Sequence, residues 1–411
     1  MRARLSGKIQ TINRRLSTIG RRASCRALVR ALFLTAFAVG VSAPTRADSA
    51  NIAFAGFAYA GKFETLETRF HYSQRYEKVL SANGGSINAK LRQSLAGRQF
   101  PFTLNMTDSV ESKGDEVLVT ALMITGETVS DERIGSAHKL FVQIRAQALI
   151  FDFISKKVRR TYPLSFAYLD ALDHVPSETE IDERIAKAYE GTQGKQGIFG
   201  RYADALASSS LPHVGELFLQ ITKVSIAADA MPAIRPELSA VPGAAEIWLA
   251  DHFSEALNSK AGVALFPYTA GYAIGGVMQM RLADTDFNLQ FPKPDWEISL
   301  DLTGVKKVKY AENAAGTSYV YGSYVTVRIA QPDGLNPVLD AQFKNGEVKE
   351  VPANQTTMDD LPAYNDSIRG LFNKLAEVLG GQNLPWLKNA AVTPNIGNEI
   401  SATQGLLQKC K

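Results

Sequence analysis

Cysteine is almost absent from this chain: two occur in 411 residues, Cys25 and Cys410. Cys25 lies in a basic leader that export would remove, leaving one thiol and no internal disulfide. A chain of this size can bury enough apolar surface to do without one. Cys410 reads as an incidental thiol, with an intermolecular disulfide as the alternative. No apolar run reaches the roughly 20 residues needed to cross a bilayer. The histidines, His71, His138, His174, His213 and His252, include no His-x-x-x-His pair, which excludes that helical zinc pattern. Neither a Gly-x-Ser-x-Gly elbow nor a suitably placed nucleophilic cysteine is present. Carboxylates scattered along the chain can still converge on folding, so a carboxylate-dependent hydrolase stays open.

Acidic residues are missing altogether from the first 47 positions, which carry ten basic ones. A 13-residue apolar block, Ala31 to Ala43, follows the charges, and Thr45-Arg46-Ala47 offers small residues for cleavage before Asp48. This is the layout of a secretory signal peptide. A mitochondrial transit peptide also fits the arginines, but an uninterrupted apolar block is not amphipathic. Val29 as an alternative start would give a signal of ordinary length. Arg14-Arg15 and Arg21-Arg22 resemble twin-arginine signals without the apolar residues expected after them. Cleavage between Ala47 and Asp48 leaves 364 residues with 35 basic and 41 acidic side chains, a net charge of −6. The expected location is the periplasm or the medium. The basic balance of the whole chain therefore misleads, and the acidic remainder argues against a nucleic-acid partner. No cofactor is implied.

The length predicts two domains. The first covers 48–230, the second 244–381, a proline-bearing linker 231–243 joins them, and a polar, loosely ordered tail runs over 382–411. The fold class is α+β: two tandem domains, each a mainly antiparallel sheet with helices on one face. In the first, Asn51 to Ala60 reads as a buried strand, 61–83 as an irregular insertion, and Ser86 to Ala96 as a helix. Val117 to Thr128, Lys139 to Phe153 and Val158 to Tyr168 read as long strands. The second of these would run about 50 Å, so a bend or bulge is expected. Ser177 and Glu180 form a capping box before a helix, and Ile198 to Ser209 is another helix. In the second domain, Ala244 to Ser259 and Gly276 to Ala283 read as helices and Val263 to Tyr268 as a strand. Trp296 to Leu302 alternates as a strand, Tyr319 to Ala330 and Val338 to Phe343 complete a meander, and a helix starts at Asp360.

Landmarks recur in order across the two halves. Gly84-Gly85, Phe102-x-Leu104, Thr125-Gly126, Arg145 and Phe166 match Gly275-Gly276, Phe287-x-Leu289, Thr303-Gly304, Arg328 and Phe343, at separations of 177 to 191 residues. A duplication predicts this order; two unrelated domains built from similar pieces is the alternative. Thr125-Gly126, the alternating run from Val142 to Asp152, and the basic turn Lys156-Lys157 form a pattern of their own. It resembles the meander of the curli-secretion protein's periplasmic domain and the N-terminal domain of the Tol-system translocation protein. The glycine those families place after the Asp is missing here. The resemblance implies a role in envelope assembly or secretion and supplies no catalytic residues.

Three groups stand out as candidate sites. Lys156, Lys157, Arg159 and Arg160 form a basic hairpin that would meet anionic lipid or a partner's acidic patch, or simply be a solvated turn. Tyr319, Tyr321 and Tyr324 would form a recognition surface, against ordinary strand packing. Asp170, Asp173 and His174, with Glu178 nearby, are the densest set of metal-ligand types, although acidic residues just before a helix also suit its dipole. Gly191, Gly194, Gly197 and Gly200 space like a phosphate loop but lack its strand and its Lys-Ser/Thr. The expected function is an exported binding or scaffold protein without catalysis, contacting an envelope protein through sheet edges or the groove between the halves. A hydrolase and a small-ligand carrier with an interdomain cavity are the alternatives.

Overall fold

Alternating apolar runs build two sheets, and in the first of them β1 (Asn51–Ala60) lies parallel to β3 (Leu118–Ile134). From there β4 (Ala137–Asp152) and β5 (Val158–Leu172) continue as an antiparallel meander, while the short β2 (Thr103–Asn105) pairs with the start of β1. The computed structural model describes residues 50–61, 63–106, 117–211, 217–234, 243–268, 277–282, 285–355, 360–393 and 396–410. The basic leader with its expected cleavage point, Cys25, Gly275-Gly276 and residues 235–242 of the expected linker lie outside these. No helix among the described residues is long and apolar enough to cross a membrane.

Five helices cover one face of the first sheet: α1 (Phe63–Arg69), α2 (His71–Ala82), α3 (Ile87–Leu95), α4 (Glu178–Glu190) and α5 (Ile198–Ala207). Their core holds Phe57, Leu91, Leu122, Ile144, Tyr189 and Tyr202. The capping box forms as the spacing predicts, Ser177 and Glu180 each serving the other's backbone N–H. The irregular insertion expected over 61–83 is instead α1 and α2. Phe70, which precedes α2, offers no side-chain cap. The Glu127 carboxylate of β3 replaces it, accepting from the backbone N–H of Tyr72 and of Ser73 at 2.8 Å. The start signal of this helix therefore sits 55 residues away, outside any local window. Gly56 shows a similar long-range fit. Its φ of +109° admits a bulge, and an added Cβ would lie 2.7 Å from Asn88 Oδ1, the atom that caps Phe57 N–H.

The second sheet has four strands, arranged as β1, β3, β4 and β5 are within the seven-stranded first. β8 (Leu219–Ile226) runs parallel to β11 (Trp296–Asn313), and β12 (Gly316–Ala330) and β13 (Leu339–Pro352) complete an antiparallel meander. Thr125-Gly126 and Thr303-Gly304 both fall at register shifts in the first meander strand of their sheets. Two further landmarks do not match: Phe287 lies on β10 of the first sheet, and the arginines differ in register. Arg145 stands opposite Gly126, whereas Arg328 stands opposite Ser299. The helix expected over Gly276 to Ala283 is a strand, β9 (Val277–Leu282), paired with β1 and in a hairpin with β10 (Thr285–Gln290). Its apolar pattern suited either element, and the open edge of β1 decided between them. The strand expected over Val263 to Tyr268 reduces to one bridge, Gln220 to Phe266.

These pairings exchange strands across the proline-bearing segment. β8 precedes it in sequence but belongs to the second sheet; β9 and β10 follow it but belong to the first. Asp48–Lys411 is accordingly one compact unit. Nor is 382–411 a loose tail. It forms α8 (Trp386–Ala390) and α9 (Gly397–Leu407). Trp386 stacks on Phe343 at 6.4 Å, and Leu407 and Cys410 are buried in the second core. The Cys410 thiol lies 3.6 Å from the Leu406 carbonyl, inside the core rather than poised for an intermolecular bond.

Between the sheets runs α6 (Ala244–Ala261), buried nearly all round. Trp248, Leu249, Phe253 and Leu257 join the core of the second sheet, where α7 (Leu361–Leu379) adds Ile368, Leu371, Phe372 and Leu375. The remaining face of α6 carries Asp251 and Glu255 toward the first sheet. This interface is polar and specific: Ser165 bonds Glu255, Asn258 bonds the Pro163 carbonyl, and Thr161 bonds the Leu265 carbonyl.

A candidate binding cleft between the sheets

A cleft of about 560 Å³ opens where α6, the far ends of β3 to β5, and the start of α7 meet. Trp248 and His252 of α6 form its base, their rings packed edge to face with centroids 4.5 Å apart. Phe141, Ala167 and Leu169 supply one wall, Leu361 and Pro362 the other. Leu169 is 60% exposed at the rim, on the edge strand of the first sheet. A shallower hollow of about 340 Å³ continues along the same strand and shares Lys139 and Leu169. Clefts of this volume with apolar walls and a few polar groups are typical ligand sites.

The rim is charged but internally paired. Lys139 meets Glu132 at 2.9 Å; Asp366 accepts from Lys349 at 2.5 Å and from Arg369 at 2.8 Å. The lining carboxylates Glu132 and Asp366 are thus both held in ion pairs, an arrangement unlike an acid–base pair poised on a substrate.

Beneath the base lies a buried polar group. Arg145 enters through the bulge at Gly126, where an added Cβ would collide with its guanidinium. Its Nε stands 3.6 Å from Asp251, and its Nη1 donates to Thr128 Oγ1 at 3.4 Å. Arg69 donates to the carbonyls of Ala60 and Thr125. Burial pushes Asp251 up to about 6, against the opposing pull of Arg145. Burial also raises Glu255, and it drives His252 well below its usual value, helped by the charges of Arg145 and Arg369.

A pH prediction follows from Asp251. A carboxyl raised from 3.8 to about 6 favours the fold fully below pH 4, and that contribution is lost as the pH rises through 6. His252, depressed, acts in the opposite direction, so the signal belongs in a difference measurement. Relative to the parent protein, Asp251→Asn should gain about 3 kcal/mol in unfolding free energy between pH 4 and pH 7.5. Denaturant titration at both pH values reads it; an unchanged difference would mean that Asp251 titrates normally.

The residues singled out in the sequence are dispersed. In the basic turn, Lys156 stacks over Phe153 and Phe287 at 3.9 and 4.5 Å, and its carbonyl accepts from Gln290 N–H. Arg160 is buried and donates to the Ser210 carbonyl, and Arg159 is half-buried, which leaves Lys157 as the exposed cation. Tyr321 points inward, its hydroxyl on Asp360 at 2.6 Å, with Tyr319 on the same face and Lys307 over both rings. Tyr324, three positions on, faces the other side of the sheet, as strand alternation requires.

Asp170, Asp173 and His174 do not converge. Asp170 is held by Arg184 at 2.7 Å, while His174 bridges Asp173 and Glu180 at 2.7 and 3.0 Å. Those hydrogen bonds raise His174, and the Ser177 backbone and hydroxyl hold Glu180 down at about 2. No metal-holding group of three His, Cys, Asp or Glu side chains occurs among the described residues. The glycine repeat forms a tight two-strand ribbon, β6 (Gly191–Thr192) with β7 (Lys195–Gln196), in which Gly191 ends α4.

Trp248, His252 and Arg145 were not among the sequence candidates. The available signal was α6 itself: an apolar helix with Asp251, His252 and Glu255 set into it, which implies buried partners.

Comparison with known proteins adds little. No protein-family model matches the chain, and no curated protein matches it. Among solved structures, it is similar to a Xanthomonas campestris protein of family DUF330, at 14% identity over 41% of this chain and 87% of that one, with a TM-score of 0.21. A likeness that low carries no argument about fold or function.

Proposed function

We propose that this chain is an exported binding protein that holds a component of the cell envelope in the cleft between its two sheets. The acid-free leader, with its apolar block and small-residue cleavage point, supports export. The cleft carries the binding reading: an aromatic base and apolar walls under a rim of ion pairs. A carrier of small ligands is favoured as a second reading by the cleft volume, which suits one small molecule. Envelope assembly or secretion is the process that the meander resemblance suggests.

The test is a photo-crosslinking residue placed at Leu169 on the cleft rim, and separately at Val79, an exposed position on α2 in the opposite helical layer. In cells, Leu169 should give one dominant adduct that Val79 does not. Equal labelling at both sites, or none at either, would count against the cleft.

A further inference from the structure

The charges around the cleft do not cancel. Among the described lining residues, Lys139, Lys349 and Arg369 face only Glu132 and Asp366. Glu132 is occupied by Lys139, so Asp366 alone serves both Lys349 and Arg369. One cation is left in excess on the α7 side, directly above the Trp248–His252 base. Arg145 under the base is paired with Asp251 of α6 at 3.6 Å, so the unbalanced charge lies on the rim. The walls, in contrast, are apolar: Phe141, Leu169, Leu361 and Pro362 with Trp248.

Resting on the binding reading above, we infer that the cleft takes a single-chain amphipathic anion, its apolar body on Trp248 and Phe141 and its one carboxylate at Arg369. The planar guanidinium suits a carboxylate because two parallel N–H groups can meet its two oxygens. An ion entering there would relieve the sharing of Asp366 rather than strand a charge. The apolar body would cover Leu169, which otherwise stands in water at the rim.

The probes are dodecanoate and dodecanol, equal in chain length and different in charge, titrated into the mature protein by calorimetry below their aggregation limits. Dodecanoate should bind about tenfold more tightly than the alcohol, equivalent to roughly 1.4 kcal/mol. Arg369→Gln should erase that preference while leaving the melting temperature in place, because this side chain is 41% exposed. Ala167→Trp, which fills the cleft, should abolish binding of both. Equal binding of acid and alcohol, or an acid preference that survives Arg369→Gln, overturns the anion assignment. Binding that survives Ala167→Trp overturns the location. If neither probe binds while Leu169 still crosslinks to one protein, the ligand class is wrong and the cleft remains a docking site for a polypeptide. If both experiments fail, the binding reading falls too.

Discussion

Replacing Arg145 with Met should cost about 3–5 kcal/mol of unfolding free energy at pH 8, the usual penalty for leaving a buried charge without its partner. Arg145 is 5% exposed and Asp251 6%, so water cannot take over the lost interaction. The loss should shrink toward pH 5, because Asp251, already raised to about 6, can then take up a proton. Arg69 also acts on Asp251, which sets a limit on the loss. Combining Arg145→Met with Asp251→Asn should restore most of the stability, since a neutral pair no longer strands a charge. Denaturant unfolding of the two single variants and the double variant gives the coupling directly. A loss at pH 8 below about 1 kcal/mol, or no rescue in the double variant, would show that the pair does not hold α6 against the first sheet.

Phe253→Ala should be comparably damaging, at about 3–5 kcal/mol for an aromatic truncated in a closed core. The ring is fully buried and meets Phe372 of α7 edge to face at 5.3 Å. The form of the transition matters as much as its size. α6 packs on both sheets, and each sheet contains strands from the other half of the sequence. Both halves should therefore melt together in one calorimetric transition, and Phe253→Ala should lower it as a whole. Two transitions, only one of them shifted, would mean that the halves fold independently despite the exchange. That outcome would restore the two-domain organisation that the proline-bearing segment suggests.

Much of the local structure was written in local sequence. Ser177 and Glu180 cap α4 because the capping box needs only residues three apart. β11 and β12 follow from their period-two burial, and α7 from one apolar stripe ending at glycine. The α+β class, with antiparallel pairing dominant, follows from such elements. The elements that were misread depend on distant partners. α2 starts on a carboxylate from β3, and β9 is a strand because β1 has an edge to fill. α8 and α9 are ordered because the second core accepts Trp386 and Leu387 of α8 and Leu407 of α9.

The candidate site divides along the same line. Composition determines that the residues after position 47 are acidic on balance, 35 basic against 41 acidic, and carry a single cysteine. Periodicity determines which residues face inward, and so could have separated Tyr324 from Tyr319 and Tyr321. Only the tertiary structure decides that Trp248, Phe141, Leu169 and Arg369 surround one cleft, since they come from α6, β4, β5 and α7. Side-chain periodicity is fixed by the geometry of a single element, and sequence records it directly. The choice of neighbour for each strand edge and helix face is a competition among every surface the chain can offer, and no local stretch of residues contains it.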